Sequence, residues 1–374
     1  MKQVRCLYCG FFCSKYGKTR TGRQRWYCKE CHSVFVNPIN KTVHDFKHFI
    51  QWLFGKDVQK SMPGNGRGFR RKTSKFWEIW PMQPKIESPM NVIYVDGIYL
   101  GRKACILICC NERYVLGWYL CRYENSRAWE ALMQRIAAPA MVVSDGGHGF
   151  RKALKRVWPK AKLQRCIFHA FLQVKRYTTG RPKTIAGIEM YMIARDLLMI
   201  KDMEQAGHWV TRLINWRIKH KTFLSEMTQD EKGKLRPMHE CLLKAERSLV
   251  RLVRQNTLFT YLDESLSYGE ELPSTNNRIE GGINAQLRTM LRNHREMSIE
   301  RRIKAVFWWC YFYSPKPLSA SEILKVMPTD RSISKLYKAM NERAKLEDSI
   351  PTWGDAIVWS ELHKSDSFPA CFWD

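Results

Sequence analysis

Two pairs of cysteines near the start of the chain have the spacing of metal ligands. The four members of these Cys-x-x-Cys pairs are Cys6, Cys9, Cys28 and Cys31. Each pair can turn tightly enough for both thiolates to face one ion, and two pairs complete the tetrahedral shell of Zn²⁺. Cys13 and His32 lie nearby, and either could replace one member of the quartet. The sequence therefore predicts one structural zinc site.

Three acidic residues far apart in the sequence are candidates for a different kind of metal site. Asp96 follows the apolar run VIYV, Asp145 follows MVVS, and Glu280 lies in a polar segment that opens a helix. Mg²⁺ and Mn²⁺ prefer oxygen ligands and keep several waters, so carboxylates from three separate elements are enough to hold them. Two such ions about 4 Å apart support the cleavage and transfer of phosphodiester bonds.

Other roles stay open for each of these carboxylates. A lone Asp after a strand is often a turn former. The spacing Asn277-x-x-Glu280 also fits a capping box, which would make the glutamate a helix-start residue. The alternative third ligands are Glu270, Glu271 and Glu296. The order of the three carboxylates along the chain, together with the strand order below, favours the catalytic interpretation.

The composition indicates a polyanionic partner. The 374 residues include 63 Lys and Arg against 35 Asp and Glu, which gives a formal net charge of +28. The positive charge extends from the N-terminus to the region of Arg301, so it forms a broad surface suited to double-stranded DNA. With 45% hydrophobic residues, the chain can build two or three domains with a large core.

The sequence is typical of a cytoplasmic protein without a membrane partner. The first residues, MKQVRCLYCG, contain no apolar stretch of signal-peptide length. The longest aromatic run, 306–313, is far shorter than the roughly 20 residues that cross a bilayer. Four of the 13 cysteines lie in or beside apolar strand-like runs, where they serve as small core residues: Cys105, Cys109, Cys110 and Cys121. We therefore expect reduced thiols and no disulfide framework.

The first 85 residues are predicted to form two small DNA-binding units. Residues 1–38 form a zinc ribbon in which a strand over 25–27 pairs with 33–36. Residues 43–85 form a helix-turn-helix, with helices over 43–54, 58–62 and 68–80. The last helix carries basic residues that we expect to contact DNA: Arg70, Arg71, Lys72 and Lys75. Any three short helices would give a similar pattern, so this assignment stays open.

The segment 90–177 has the strand order of an α/β core. Strands are predicted over 92–95, 104–110, 114–120, 141–143 and 163–166. Ser126 is expected to cap a helix that ends near 136, and further helices follow over 150–157 and near His169. Three hairpin strands followed by two strands reached through helical crossovers is the RNase H-like order. In that order the first and fourth strands are neighbours, so Asp96 and Asp145 would meet at one end of the sheet.

The rest of the chain is predicted to be helical. Residues 178–270 contain no strand-like run and form an all-helical insertion, in which Trp209 and Trp216 share a helical face. Residues 271–314 form the last helix of the core and include Glu280. Residues 315–374 form a tail of helices and loops without a functional interpretation.

One ordered set of motifs resembles a known family of enzymes. Its members are Val95-Asp96-Gly97, Ser144-Asp145-Gly146, Cys166-x-x-His169 and Thr275-Asn-Asn-Arg-Ile-Glu280 with Asn284 and Arg288. The set is similar to the Asp-Asp-Glu transposases of the bacterial insertion sequences that are related to plant Mutator elements. The leading zinc ribbon and helix-turn-helix resemble a short subgroup found mainly in actinobacteria. The resemblance extends from the N-terminus to about residue 312.

The resemblance implies a DNA transposase that acts in the bacterial cytoplasm, at the nucleoid. Such an enzyme binds terminal inverted repeats and target DNA as a homodimer or higher oligomer, and transposes by a cut-and-paste or copy-out route. Asp96, Asp145 and Glu280 would be catalytic and would hold Mg²⁺ or Mn²⁺. The residues that would support this site are Cys166, His169 and Asn277.

Several alternatives stay open beside this implication. The Cys166 and His169 pair has simple packing as its other role. Trp209 and Trp216 would stack on DNA by analogy with the family, although a packing role explains their spacing better. For the whole chain, the alternatives are a non-catalytic zinc-ribbon regulator, a host-adopted transposase that has lost its activity, and a nuclease that shares the core.

Overall fold

The computed structural model describes residues 4–6, 8–36, 41–62, 64–231, 233–267 and 269–346. The chain divides into two compact units, Met1–Ile50 and Gln51–Asp374, and each is described by itself.

The first unit contains a three-stranded antiparallel sheet in the order β1-β2-β3. Its strands are β1 (Cys13–Lys18), β2 (Gln24–Cys28) and β3 (Val34–Val36). Arg25 pairs with Val36 and Tyr27 with Val34, which confirms the predicted strand pairing. The buried apolar cluster of this sheet consists of Cys6, Cys28 and Phe35. So small a core gives little stability without a metal ion.

Helix α1 (Thr42–Phe54) contains the boundary between the two units. The second unit continues with a short 3₁₀ turn, Gln59–Ser61, and helix α2 (Arg67–Thr73). The predicted continuous helix over 68–80 is wrong, because a 3₁₀ turn at Ser74–Glu78 replaces its second half. The Thr73 and Ser74 hydroxyls donate to the Phe69 and Arg71 carbonyls. Such bonds compete with the helical ladder and bend it.

A five-stranded mixed sheet forms the centre of the second unit. Its strands are β4 (Val92–Leu100), β5 (Ala104–Cys110), β6 (Val115–Cys121), β7 (Met141–Ser144) and β8 (Lys162–Arg165). Their order is β6-β5-β4-β7-β8. Strands β4, β5 and β6 are antiparallel, and β7 and β8 run parallel to β4. The first and fourth strands therefore lie side by side.

Strand β4 is longer than predicted. It continues through Asp96 to Leu100, and Asp96 pairs with Ile108 on β5. The predicted turn over 97–103 shortens to the three residues after β4, beginning at Gly101, whose φ is +66°. Residues 97–100 stay extended because each has a partner on β5. Asp96 is therefore a mid-strand residue and not the end of a strand.

Helices α3 (Ser126–Met133), α4 (His148–Val157) and α5 (Ile167–Thr178) connect or follow these strands. The cap of α3 is Asn125 and not Ser126, because Asn125 Oδ1 accepts a hydrogen bond from the Ala128 N–H at 2.8 Å. Helices α3 and α4 pack on each other, and large side chains such as Trp129 and Phe150 are buried with the sheet residues.

The insertion is mostly helical but also contains a small β-hairpin. Its helices are α6 (Ile185–Asp196), α7 (Met203–Lys219), α8 (Lys221–Leu224), α9 (Glu240–Arg254) and α10 (Glu264–Ser267). Strands β9 (Met227–Gln229) and β10 (Leu235–Pro237) pair with each other, so the prediction of an all-helical insertion is wrong here. Asp230 explains the hairpin, because its carboxylate accepts a hydrogen bond from the Lys234 N–H across the turn.

The two insertion tryptophans belong to the core. Trp209 and Trp216 are 2% and 3% exposed. Their indole N–H groups donate to the Ile193 and Ala186 carbonyls at 2.7 and 3.0 Å. The packing interpretation is confirmed, because neither ring has a face available for DNA.

After the insertion, a π-helical turn at Arg278–Asn284 leads into α11 (Ala285–Asn293) and α12 (Ile299–Phe312). Helices α13 (Ala320–Val326) and α14 (Asp330–Leu346) follow. The fully buried Lys304 ammonium donates to both Asp330 oxygens at 2.8 and 3.0 Å, which anchors α14 to α12. Within the described ranges, the helices are all too short or too polar to span a bilayer.

Candidate active site and metal-ligand clusters

The four predicted zinc ligands converge in the first unit. Their sulfur atoms all lie within 4.8 Å of one another. The Sγ atoms of Cys6 and Cys31 are 3.5 Å apart, and those of Cys9 and Cys28 are 3.4 Å apart. Four thiols at this separation fit the tetrahedral shell of one Zn²⁺. The cluster is consistent with a zinc ribbon.

The two turns that carry the ligands have the same backbone pattern. The Cys6 N–H donates to the Phe11 carbonyl at 2.7 Å, and the Cys28 N–H donates to the Ser33 carbonyl at 3.0 Å. Gly10 and His32 each follow the second cysteine of a pair, and both have positive φ angles, +80° and +55°. The repeated geometry therefore presents each cysteine pair in the same way.

Neither of the spare ligands joins this quartet. His32 Nδ1 is hydrogen-bonded to the Tyr27 hydroxyl at 2.7 Å. The Cys13 thiol donates to the Phe11 carbonyl at 3.7 Å. Hydrogen bonding with Ser33 lowers the pKa of Cys31 to about 6, which favours the thiolate that a zinc ion requires.

Asp96 and Asp145 meet on the central sheet. Val95 on β4 lies opposite Ser144 on β7, and each aspartate is the next residue along its strand direction. Burial raises the pKa of Asp96 to about 7, and the negative charge of Asp145 acts in the same direction. The aspartates are therefore electrostatic neighbours, although 49 residues separate them in the sequence, from 96 to 145.

Hydrogen bonds fix the orientation of both aspartates. Asp96 Oδ1 accepts from the Gly97 N–H at 2.9 Å, and Asp96 Oδ2 accepts from Asn284 Nδ2 at 2.6 Å. Asp145 Oδ1 accepts from the Gly147 N–H at 3.0 Å. Asn284 comes from the π-helical turn, so the last part of the core contacts β4 directly at the candidate catalytic aspartate.

Glu280 lies on the same π-helical turn and has two kinds of neighbour. Its charge contributes to the raised pKa of Asp96. Its Oε1 atom is 3.3 Å from His169 Nδ1, which in turn lies 3.3 Å from Cys166 Sγ. The ligand atoms of Cys166, His169 and Glu280 all lie within 4.8 Å of one another. Among the described residues, the three predicted catalytic carboxylates do not form so compact a group.

The alternative roles and alternative residues for Glu280 have less support. In the described part of the chain, the Asn277 side chain makes no capping hydrogen bond, so the capping box is not formed. Glu270 and Glu271 are exposed. Glu296 is also exposed, and it pairs with Lys60 at 3.5 Å. Of the four glutamates considered, Glu280 is the one whose charge acts on Asp96.

The polar loop that leads to Glu280 is joined to the sheet by Asn276 and not by its exposed neighbour Asn277. Asn276 is fully buried, and its Nδ2 donates to the Val95 carbonyl at 3.1 Å. Its backbone N–H donates to Cys166 Sγ at 3.2 Å. The sequence motif contains both asparagines, and spacing alone does not distinguish them. Cys166 thus lies between the polar loop and His169, where it can position both.

A fourth carboxylate, Glu124, was missed by the sequence analysis. It lies in the loop between β6 and α3. Burial and the charge of Asp145 raise its pKa to about 7. A Cβ atom at Gly97 would lie 2.4 Å from Glu124 Oε1, and one at Gly147 would lie 3.8 Å from Oε2. Gly97 therefore leaves the space that the Glu124 carboxylate occupies, whereas the distance at Gly147 is an ordinary contact. No periodicity or spacing in the sequence marks this residue.

The oxygen atoms at this site are of the type that binds a hard divalent cation. Within the described residues, Asn284 Oδ1 and Glu280 Oε1 are buried oxygens without a hydrogen-bond donor. Such oxygens are unfavourable unless a cation or water satisfies them. Together with the carboxylates of Asp96 and Asp145, they are oxygen atoms of the kind that could hold Mg²⁺ or Mn²⁺.

The predicted DNA-contacting residues lie on α2 and on the 3₁₀ turn that follows it. Arg70, Arg71, Lys72 and Lys75 are all exposed. Arg70 donates to the Asn65 carbonyl at 3.2 Å, and the Lys75 ammonium lies 5.2 Å from the centre of the Phe76 ring.

Comparisons with known proteins agree with the resemblance seen in the motifs. Residues 105–230 match the model of the family described as "Transposase, Mutator family". This segment includes Asp145, Cys166 and His169.

Two curated relatives are transposases of bacterial insertion sequences. The transposase for insertion sequence element IS905 of Lactococcus lactis is 31% identical over 145 residues, which are 34% of this chain and 36% of the relative. The transposase for IS6120 of Mycolicibacterium smegmatis is 28% identical over 125 residues, which are 28% of this chain and 38% of the relative. The matches thus span little more than a third of each relative. They show that the chain is similar to transposases of bacterial insertion sequences, as the family match over residues 105–230 also indicates.

Proposed function

We propose that this protein is a DNA transposase with an RNase H-like core that cuts and joins DNA at the ends of an insertion sequence. The observation that carries the proposal is the meeting of Asp96 and Asp145 at adjacent strands, with the Glu280 turn anchored to Asp96 through Asn284. The similarity to insertion-sequence transposases supports the same function.

In this proposal Asp96, Asp145 and Glu280 hold two Mg²⁺ or Mn²⁺ ions. Bound there, the ions would supply Lewis-acid chemistry that activates an oxygen nucleophile and neutralises charge on the leaving oxygen. Asn284 holds Asp96 in one orientation through its 2.6 Å hydrogen bond. His169, with Cys166 behind it, lies beside the Glu280 carboxylate, 3.3 Å from its Oε1 atom.

DNA binding in this proposal begins at the N-terminal regions and extends over the basic surface. The net charge of +28 supports a large phosphate contact. The zinc-bound ribbon and the exposed residues Arg70, Arg71, Lys72 and Lys75 would recognise the terminal inverted repeats. We propose a homodimer or higher oligomer in the bacterial cytoplasm, at the nucleoid, because two ends must be joined to one target.

A strand-transfer assay tests this function. The full chain is mixed with duplexes that carry the repeats flanking its gene, a supercoiled target plasmid and Mg²⁺. We expect joined products from the wild type and none from Glu280→Gln, which keeps the shape of the side chain but loses its charge. The exposed Glu271→Gln is the matched control and should join DNA normally. Normal joining by folded Glu280→Gln would exclude Glu280 as the third ligand.

The same assay separates the alternative functions. Nicking without joining would identify a nuclease that shares the core. Binding without nicking or joining would identify a non-catalytic regulator or a host-adopted, inactive transposase.

A second metal role for Glu280 has one specific observation in its favour, the compact group with Cys166 and His169. Cysteine, histidine and glutamate are ligand types of Zn²⁺. Zinc analysis of the purified chain distinguishes the roles. One equivalent is expected from the cysteine quartet alone, whereas two equivalents, reduced to one by His169→Ala, would assign a zinc ion to this group.

A further inference from the structure

A cluster of arginines lies beside Asp145 and is not used by the proposed catalytic site. Arg165 is the last residue of β8 and lies opposite Ser144, the residue before Asp145. Its guanidinium lies against Gly146, because a Cβ atom there would be 2.5 Å from Arg165 Nε. Gly146 has a φ of +89°, so the chain needs glycine at this point for both reasons.

Arg165 has an unsatisfied donor. Its Nη1 atom is buried and has no hydrogen-bond partner among the described residues. A buried donor without an acceptor is unfavourable, and more so when it carries part of a positive charge. The Arg165 backbone N–H donates to the Thr257 carbonyl at 2.6 Å, which holds this end of β8 beside the segment that follows α9.

Two further arginines lie near enough to Arg165 for their charges to act on it. Arg151, on α4, donates to Gln255 Oε1 at 2.7 Å. Arg251 lies one helical turn before Gln255, near the end of α9. Burial lowers the pKa of Arg165, and the charges of Arg151 and Arg251 act in the same direction. Asp145 acts in the opposite direction. The three arginine side chains therefore lie close to Asp145, the carboxylate that the proposed function assigns to metal binding.

Like charges gathered in this way are stabilised by an anion. A guanidinium offers parallel N–H donors in a planar fork that matches two oxygens of a phosphate group. The cluster adjoins Asp145, where the proposed function requires a phosphodiester to approach. A DNA backbone phosphate is therefore the anion whose chemistry and location both fit.

We infer that Arg165, flanked by Arg151 and Arg251, binds a backbone phosphate of the DNA strand that lies in the active site. The inference rests on the proposed function and adds a binding site to it. Arg165 contacts the phosphate through its guanidinium, whose Nη1 donor has no hydrogen-bond partner among the described residues. Arg151 and Arg251 strengthen the local positive potential that draws the strand toward Asp145.

The test is duplex binding by the zinc-loaded full chain as a function of salt, measured by fluorescence anisotropy without added Mg²⁺ or Mn²⁺ so that cleavage does not occur. Each lost phosphate contact should reduce the log-log salt slope by about 1 and the affinity by about tenfold near 0.1 M salt. We expect Arg165→Gln to show this loss. The double variant that combines Arg151→Gln with Arg251→Gln should also lower the slope. Arg165→Lys should keep the slope while binding more weakly, because it keeps the charge but not the fork.

Arg156→Gln is the matched control, because Arg156 is exposed on the same helix as Arg151 and pairs with Glu130 at 2.9 Å. It should bind like the wild type. If Arg165→Gln does not fold, the more exposed Arg151→Gln/Arg251→Gln variant decides. If the wild type binds DNA normally and the folded variants show unchanged salt slopes, the phosphate site is wrong. That result would leave the proposed function intact. A wild type that binds no duplex would overturn the proposed function and this inference with it.

Discussion

The two ligand clusters of this protein are built in opposite ways. The cysteine quartet comes from two short turns, and its contacting pair Cys6 and Cys31 is 25 residues apart. The carboxylate site joins two neighbouring strands to a π-helical turn, and its contacting pair Asp96 and Asn284 is 188 residues apart. The first is a local structure in a unit with a very small core, whereas the second depends on the packing of a whole domain.

The difference explains what each cluster is suited for. Four thiols fill a tetrahedral shell completely, which leaves no position for a substrate and stabilises the fold. Carboxylate and amide oxygens beside a buried sheet suit hard ions, which would keep open positions for water or DNA. We therefore expect the loss of the first ion to unfold a unit, and the loss of the second to stop chemistry in a folded protein.

The largest effect should follow from breaking the cysteine quartet. Cys28→Ser should remove the zinc and unfold the ribbon, because structural zinc contributes roughly 10 kcal/mol or more to such small units. Zinc content and amide hydrogen exchange of residues 1–36 measure both losses. Cys13→Ser is the control and should retain one zinc equivalent. A Cys28→Ser protein with full zinc content would contradict the assignment of the quartet.

The opposite behaviour is expected at the carboxylate site. Asp96→Asn should reduce strand transfer by roughly 10³-fold, because the ions supply several kcal/mol of transition-state stabilisation. Its zinc content and duplex binding should stay normal. Asp57→Asn, at an exposed position, is the matched control. Strand transfer at the wild-type rate by Asp96→Asn would refute the enzyme assignment.

The pH dependence sharpens the comparison further. The pKa values of Asp96 and Glu124 are raised to about 7, mainly by burial. A carboxyl group whose pKa is higher in the folded protein than in the unfolded chain adds stability at pH values below the unfolded pKa. This stability is lost as the pH rises through the folded pKa of about 7. Without added Mg²⁺ or Mn²⁺, the thermal midpoint of the second unit should therefore fall between pH 5 and 8, and it should fall by more in the wild type than in Asp96→Asn.

Added Mg²⁺ should reverse this loss at pH 8, since it binds the ionised carboxylates and displaces protons. Calorimetric titration with Mn²⁺ should correspondingly show tighter binding at pH 8 than at pH 6. Affinity that does not change with pH would mean that these carboxyls are already ionised at pH 6.

The smallest effect should come from the polar loop that joins the Glu280 turn to the sheet. Asn276→Ala removes a buried hydrogen bond to the Val95 carbonyl and should lower the free energy of unfolding by about 1–3 kcal/mol. Asn277→Ala changes an exposed side chain and should stay within about 0.5 kcal/mol of the wild type. Denaturant unfolding of both variants measures the difference. Equal losses would show that Asn277 also anchors the loop.

The predictions succeeded where a pattern has a local cause. The pairing of residues 25–27 with 33–36 follows from alternation on two short strands next to the cysteine pairs. The neighbouring positions of β4 and β7 follow from the order of strands and helices. The burial of Trp209 and Trp216 follows from their spacing of seven residues on one helix.

The errors arose where a specific hydrogen bond or strand partner overcame the preference predicted from the local sequence. The extent of β4 beyond Asp96 depends on partners on β5, which overcome the tendency of glycine to turn. The end of α2 depends on the hydroxyls of Thr73 and Ser74, whose bonds to the backbone are invisible in hydrophobic periodicity. The hairpin at 227–237 depends on one aspartate in its turn.

The sequence by itself determined the cysteine quartet, the strand order and the basic character of the chain, because spacing, alternation and composition are properties of the chain alone. Only the tertiary structure decided which oxygen and nitrogen atoms surround Asp96 and Asp145. Asn284, Glu124 and Arg165 reach these two aspartates from separate elements. Their proximity results from long-range packing, which leaves no periodic signal in the sequence around any one of them.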